Sequence, residues 1–242
     1  MKKNYWLIVI TYIVMQFSSI LGVPLLKKIF TSMGVSADRI DFLSVVYWII
    51  ISFFVAFLIT LFLLRHERFD RASDKAGVGK SIAWAIGGIF LALFAQSIAG
   101  NIERILGVPT GSENTQQILK LINAFPAVIF VSSVLGPILE EIVFRKILFG
   151  SLYKRMNFFF AALISSVVFS IAHAELEHTL LYAAMGFTFA FLYVKTKRII
   201  VPIFAHVAMN TLVVLIQSVY KDEIIKYMEE LEKVQSFIGG LL

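Results

Sequence analysis

Along the chain, long apolar runs alternate with short polar breaks, and the runs are unbroken rather than striped. Tyr5 to Pro24, Phe42 to Leu64 and Ser81 to Ile102 each approach the roughly 20 apolar residues with which a helix crosses the hydrocarbon core of a bilayer. A polar stretch from Asn101 to Gln117 then leads into a short helix ending near Asn123. A fourth apolar segment begins near Pro126 and reads as helix to about Arg155. The fifth runs from Phe158 to His173, the sixth from Thr179 to Val194 and the seventh from Ile199 to Gln217. From Tyr220 to Phe237 the charges recur on a helical period, which predicts an amphipathic surface helix. The pattern therefore predicts an all-α, polytopic bundle of seven or eight membrane helices. It divides into three N-terminal spans with their loops (1–124), a four-helix core (125–219) and an amphipathic tail (220–242).

Composition strengthens that picture. Of 242 residues, 59% are hydrophobic and 16% charged, where a soluble domain is nearer half and about a quarter. Lys2 and Lys3 before the first run resemble the start of a signal peptide. The run is long, however, and no small-residue cleavage site follows, so it reads as the first span. The absence of Cys excludes disulfides, thiolate chemistry and cysteine zinc sites. With the N-terminus inside, Lys2 and Lys3, the stretch Arg65 to Lys80, Lys154 with Arg155, and Lys195 to Arg198 share the inner side. That is the positive-inside bias, and the seventh span then leaves the C-terminus outside. The net charge of +6 is accordingly read as topology and contact with anionic lipid, and no nucleic-acid motif accompanies it. Short loops, abundant Lys and no Cys suit a bacterial plasma membrane protein.

The candidate chemistry lies where polar residues interrupt the apolar spans. Glu140, Glu141 and Arg145 sit in Gly136-Pro-Ile-Leu-Glu-Glu-Ile-Val-Phe-Arg145. A charge near the bilayer centre costs about 3 kcal/mol or more, so such residues face a protein interior or a wet cavity. Glu141 and Arg145 are four apart and share a helix face, where they can pair. Glu140, about 100° around the helix, is the unpaired carboxylate and the candidate general base. The bland alternative is a structural cluster joining helices. His173 closes the fifth span, and His206 and Asn210, also four apart, point into the bundle from the seventh. At 1.5 Å per residue, Glu140 and His173 lie roughly 22 Å from the turn near Arg155, and His206 and Asn210 roughly 12 to 18 Å from the basic turn at Lys195. A carboxylate, two imidazoles and an amide thus occupy overlapping layers, as a hydrolytic site requires.

Other membrane-protease chemistries lack their residues. Every Asp (Asp38, Asp41, Asp70, Asp74, Asp222) lies outside the spans, and HExxH is absent. Ser132, Ser133, Ser165, Ser166 and Ser170 lie in spans, but in no GxSxG or SxxK context. His178, with Glu175 and Glu177, reads as a solvated turn, and His66 in the basic loop receives no role. A transporter using Glu140 as a proton relay would call for repeats or broken helices in both halves. Only the step at Gly136 and Pro137 hints at such a break.

Taken together, Glu140-Glu141-x-x-x-Arg145, Phe169-x-x-x-His173 and His206-x-x-x-Asn210 resemble the CPBP family of intramembrane peptidases, which includes the CAAX prenyl endopeptidases and the bacteriocin-processing and immunity proteins of the Abi group. The resemblance spans roughly Phe125 to Val214. It implies an endopeptidase acting on a membrane-associated or hydrophobic peptide. Glu140 would activate water, His173 would assist, and His206 and Asn210 would stabilise the oxyanion. Glu141 and Arg145 would orient Glu140 from behind. Two versions fit these residues: a metal-free glutamate mechanism, or a zinc site with Glu140, His173 and His206 as ligands and one open position. The lack of HExxH spacing and of Cys favours the metal-free version. The competing class is a non-catalytic relative acting as a membrane scaffold, regulator or immunity protein.

Overall fold

In lipid a backbone must satisfy its own hydrogen bonds, which leaves helices and closed barrels as spanning structures. A computed structural model of the chain describes residues 2–65, 75–109 and 112–219, and among these there are helices and turns but no strand. In order they are α1 (Lys3–Phe17), α2 (Ser19–Ser32), α3 (Ala37–Leu64), α4 (Val78–Ile105) and α5 (Glu113–Ala124). A continuous mixed α/π helix, α6, covers residues 128–152. Next come α7 (Phe158–Ala172), a 3₁₀ turn (Leu176–His178), α8 (Thr179–Thr196) and α9 (Ile200–Val219). The predicted surface helix from Tyr220 and the loop residue His66 lie outside the described residues.

The first apolar run is not one straight span ending at Pro24. It forms α1 and α2, bent by 51°, and α2 continues through Pro24 to Ser32. Ser18 marks the bend, donating to Met15 O at 2.7 Å and accepting from Trp48 Nε1 at 3.0 Å. Gly22, beyond the bend, lies against the Trp48 indole where a side chain would collide.

Among the described residues, four helical stretches are long and apolar enough to cross a membrane alone: Ala37–Leu64, Val78–Ile105, Leu176–Thr196 and Ile200–Gln217. The bent α1–α2 pair makes a fifth if counted as one. That count is below the seven or eight expected from apolar runs, for two local reasons. Helix α6 holds the charges and two π segments. Helix α7 has 15 residues, a rise of about 22 Å against a core of about 30 Å.

Small residues bring the helices together, as they do where lipid offers no hydrophobic drive between helices. The buried face of α4 is Ser81, Ala85, Gly88, Ala92 and Ala99, and it packs on α8 and α9. A Cβ on Gly88 would come within 2.6 Å of Leu192 Cδ1. Gly186 of α8 likewise lies directly on Ser166 of α7. The outer surface is the opposite of a soluble protein's, with Phe54, Phe62, Phe90, Phe94 and Phe159 all exposed. Buried between the long helices is α6, whose residues 141–145 are all interior.

Candidate active site

The geometry of α6 starts from Pro137, which cannot donate to the carbonyl four residues back and whose ring crowds it. The helix accommodates this without breaking. Val131–Leu135 adopts π geometry, with Gly136 N–H bonded to Val131 O, and a second π segment covers Glu141–Phe149. The break hinted at by Gly136 and Pro137 is therefore a widening of a continuous helix. Such π insertions are rare and sit frequently at functional sites.

The predicted pairing of Glu141 with Arg145 is present, with Nε to Oε2 at 3.4 Å and both side chains essentially inaccessible. Among the described residues no Arg145 nitrogen has a well-formed hydrogen bond. Instead the guanidinium lies 4.2 Å from the Phe169 ring centroid and 5.4 Å from that of Phe189. A cation held over aromatic faces gains electrostatic attraction that grows when water is excluded.

The other oxygen of Glu141, Oε1, lies 2.9 Å from Nδ1 of His206, which comes across from α9. An ionised carboxylate only accepts, so Nδ1 bears the proton and Nε2 is the atom turned toward the site. Nε2 faces Glu140 Oε2 at 3.8 Å, beyond hydrogen-bond length. The imidazole is buried and stacks on Phe189, with centroids 4.6 Å apart and planes at 21°. Two adjacent carboxylates thus address opposite edges of one ring. Glu140, at 15% side-chain exposure, is the more accessible of the pair. Tyr12 of α1, a residue the motifs do not contain, lies within electrostatic reach of Glu140 and Arg145.

His173 occupies the C-cap of α7. Its Nδ1 lies 2.8 Å from Phe169 O, and since a carbonyl accepts, Nδ1 again bears the proton. The ring stacks on Tyr182 at 4.2 Å and 28°, and meets Phe169 edge-on at 4.5 Å. Phe169 is also 6.3 Å from His206, so one phenyl ring packs near both imidazoles. Asn210 is part-buried one helical turn beyond His206 on the same face of α9. The contacts therefore join Glu140, Glu141, Arg145 and His206 directly, and His173 through Phe169.

A three-ligand zinc site at Glu140, His173 and His206 does not fit this arrangement. Among the described residues no three His, Asp or Glu side chains converge as metal ligands, and that includes the set Glu140, His173 and His206.

In the turn after His173, Glu177 is exposed as expected of a solvated loop, but His178 and Glu175 depart from that expectation. His178 is buried, with Nδ1 2.9 Å from Glu103 Oε2, and the other Glu103 oxygen accepts from Leu181 N–H at 2.9 Å. Glu103 itself is buried near the end of α4. Glu175 accepts from Asn114 N–H at 2.7 Å, Ser112 Oγ at 3.0 Å and Tyr182 OH at 2.7 Å. Partial burial pushes the Glu175 carboxyl up, but these three donors, with His178 nearby, outweigh it and hold it below the usual carboxylate range. Sequence reading missed Glu103, Glu175 and Tyr182, whose partners lie up to 78 residues away along the chain. The one usable signal was a lone Glu near the end of an apolar helix.

With this geometry in place, similar proteins bear directly on the function. Residues 122–212 match the family model for the type II CAAX prenyl endopeptidase Rce1-like proteins. YdiL of Bacillus subtilis (strain 168), a protein provisionally named a membrane peptidase, is 51% identical over 245 residues, covering 100% of this chain and 99% of YdiL. The chain belongs to the Rce1-like CAAX prenyl endopeptidase family. A second family relative is MroQ of Staphylococcus aureus (strain USA300), named a membrane-embedded CAAX protease. It is 34% identical over 156 residues, which cover 62% of this chain and 63% of MroQ. No solved structure matches. The family is one of membrane proteases with bacterial members, and Glu140, His173, His206 and Asn210 all fall inside the matched span.

Proposed function

We propose that the chain is an intramembrane endopeptidase of the bacterial plasma membrane, cleaving a membrane-associated or hydrophobic peptide with Glu140 as general base. The observation that carries this reading is the committed state of Glu141. With its carboxylate engaged by His206 and Arg145, only Glu140 of the adjacent pair is left to handle a water proton. The two histidines divide their roles by their partners. His173 donates through Nδ1 to a carbonyl, which leaves Nε2 as a lone pair to hold the same water. His206 is held by a carboxylate at Nδ1, as the histidine of a catalytic triad is. With the Asn210 amide it stabilises the oxyanion.

The steps balance without a further reactant. Glu140 takes a proton from water as the oxygen bonds to the scissile carbonyl carbon, and the carbonyl oxygen becomes the oxyanion. Glu140 then delivers that proton to the leaving nitrogen, the C–N bond breaks, and a carboxylic acid and an amine depart. Each preorganised donor to the oxyanion is worth about 3 to 4 kcal/mol in related sites. In this reading α6 and α7 also cross the bilayer, bringing the crossings to seven, because each is packed among the longer helices.

The test is cleavage of a panel of hydrophobic peptides by purified protein in detergent, for wild type and Glu140→Ala, with and without chelator. Cleavage lost in the variant but retained with chelator supports this mechanism. Loss on chelation with recovery in zinc replaces it by the metal version. A wild type that binds a partner but cleaves nothing would favour the scaffold class.

A further inference from the structure

Three contacts hold the His173 ring, and one of them leads outside the family motifs. Phe169 supplies both the carbonyl that accepts from Nδ1 and an aromatic edge at 4.5 Å. The third contact is the Tyr182 ring, stacked at 4.2 Å with planes only 28° apart. Tyr182 is buried, and its hydroxyl donates to Glu175 Oε2 at 2.7 Å. The remaining Glu175 oxygen takes Ser112 Oγ and Asn114 N–H. Ser112 is itself the N-cap of α5, accepting from Thr115 N–H at 3.0 Å.

We propose that Tyr182 and Glu175 are positioning residues for His173: the carboxylate pins the phenol, and the phenol fixes the plane of the imidazole. The proposal rests on the peptidase reading for what His173 does. A single hydrogen bond at Nδ1 leaves the ring free to swing about it, because the side chain closes α7 where the helix gives way to a turn. A face-to-face neighbour removes that swing. Tyr182 can serve as that neighbour only if its own ring is held, and the anchored carboxylate holds it. Chain geometry makes this possible within few residues. Ala174 adopts a left-handed backbone (φ 57°), which turns the chain so that Glu175 meets α8 in its first turn, at Tyr182. The neighbouring pair of Glu103 and His178, with Leu181 N–H, fastens the same turn to the end of α4. Held in this way, Nε2 keeps one direction relative to the substrate. Small misplacements of a catalytic group cost much in rate and little in binding.

The test uses full-length protein in detergent, with kcat and KM for wild type, Tyr182→Phe, Tyr182→Leu and Glu175→Gln. In parallel, nitrogen NMR of labelled histidine reports the His173 tautomer. Tyr182→Leu should lower kcat about 10- to 100-fold, with KM changed less than about twofold. Tyr182→Phe and Glu175→Gln, which keep the ring but release the latch, should fall between it and wild type. Wild type should show one neutral tautomer protonated on Nδ1, and Tyr182→Leu a mixture. A Tyr182→Leu protein with unchanged kcat and unchanged tautomer overturns the proposal, as does a KM effect without a kcat effect. If Tyr182→Leu fails to fold, Tyr182→Phe carries the same comparison, since it leaves the packing intact. If wild type cleaves no peptide, the peptidase reading falls and the tautomer spectra alone decide the positioning claim.

Discussion

Glu141 accepts from His206 Nδ1 at 2.9 Å, and this one bond divides the labour between two adjacent carboxylates. Glu141 serves the imidazole and Arg145, while Glu140 faces the opposite edge of the ring at 3.8 Å. The division makes the two residues differ in what their loss should do.

Neutralising Glu141 removes the carboxylate paired with the fully buried Arg145 guanidinium. Breaking a buried ion pair from one side costs about 3–5 kcal/mol, because the other charge is left uncompensated. Glu141→Gln should therefore lower thermal stability sharply in detergent. Glu141→Leu with Arg145→Met should be more stable than Glu141→Gln alone, since no charge remains buried unpaired. A single variant as stable as wild type would contradict the ion-pair account.

Glu140→Gln should behave in the opposite way. Its carboxylate has no partner closer than 3.8 Å among the ion pairs of the site and retains some exposure. Stability should stay within about 0.5 kcal/mol of wild type, while kcat falls by about 10² to 10⁴ for loss of a general base. Thermal unfolding and peptide cleavage on the same preparation separate the two effects.

Acid should loosen the turn that follows His173. The Glu175 carboxyl titrates below its ordinary value in the folded chain, so the ionised form contributes stability. That contribution is complete above the unfolded-state value of about 4.3 and disappears as pH falls through the lower folded-state value. The acid-induced loss of thermal stability below about pH 4.3 should be smaller in Glu175→Gln, which has no charge to lose. Parallel curves for the two proteins would assign the acid transition to other groups.

Packing at Gly186 offers a test independent of chemistry. A Cβ there meets the Ser166 side chain, so α7 and α8 approach as closely as a glycine permits. Gly186→Val should destabilise by at least about 1–3 kcal/mol through overpacking. Combining it with Ser166→Gly should recover part of the loss, and a tolerated single substitution would show that the helices can separate there.

Much of the architecture was readable from the order of apolar and polar residues. Each of the helical segments expected before Gln217 has a counterpart, because a continuous apolar run in a chain of this composition has no better solution than a helix. The i,i+4 pairing of Glu141 with Arg145 was equally readable, since it depends only on local helix geometry. Reading failed where local rules gave way to neighbours. Charges at His178 and Glu175 looked solvated by composition, yet α4, α5 and α8 surround them and supply their partners.

By itself, then, the sequence determined the helical class, the membrane setting and the three motifs, all of which follow from residue type and near-neighbour spacing. Tertiary structure alone decided which groups meet. It bends the first run at Ser18, keeps α6 continuous through Pro137 by π geometry, and brings both Glu140 and Glu141 to one imidazole. It also sets Phe169 near both histidines and stacks Tyr182 on His173. The physical reason is that these relations depend on helix rotation and on contacts between side chains far apart in the chain. Both are fixed by packing small residues such as Gly88 and Gly186 against particular neighbours, and no spacing along one helix encodes them.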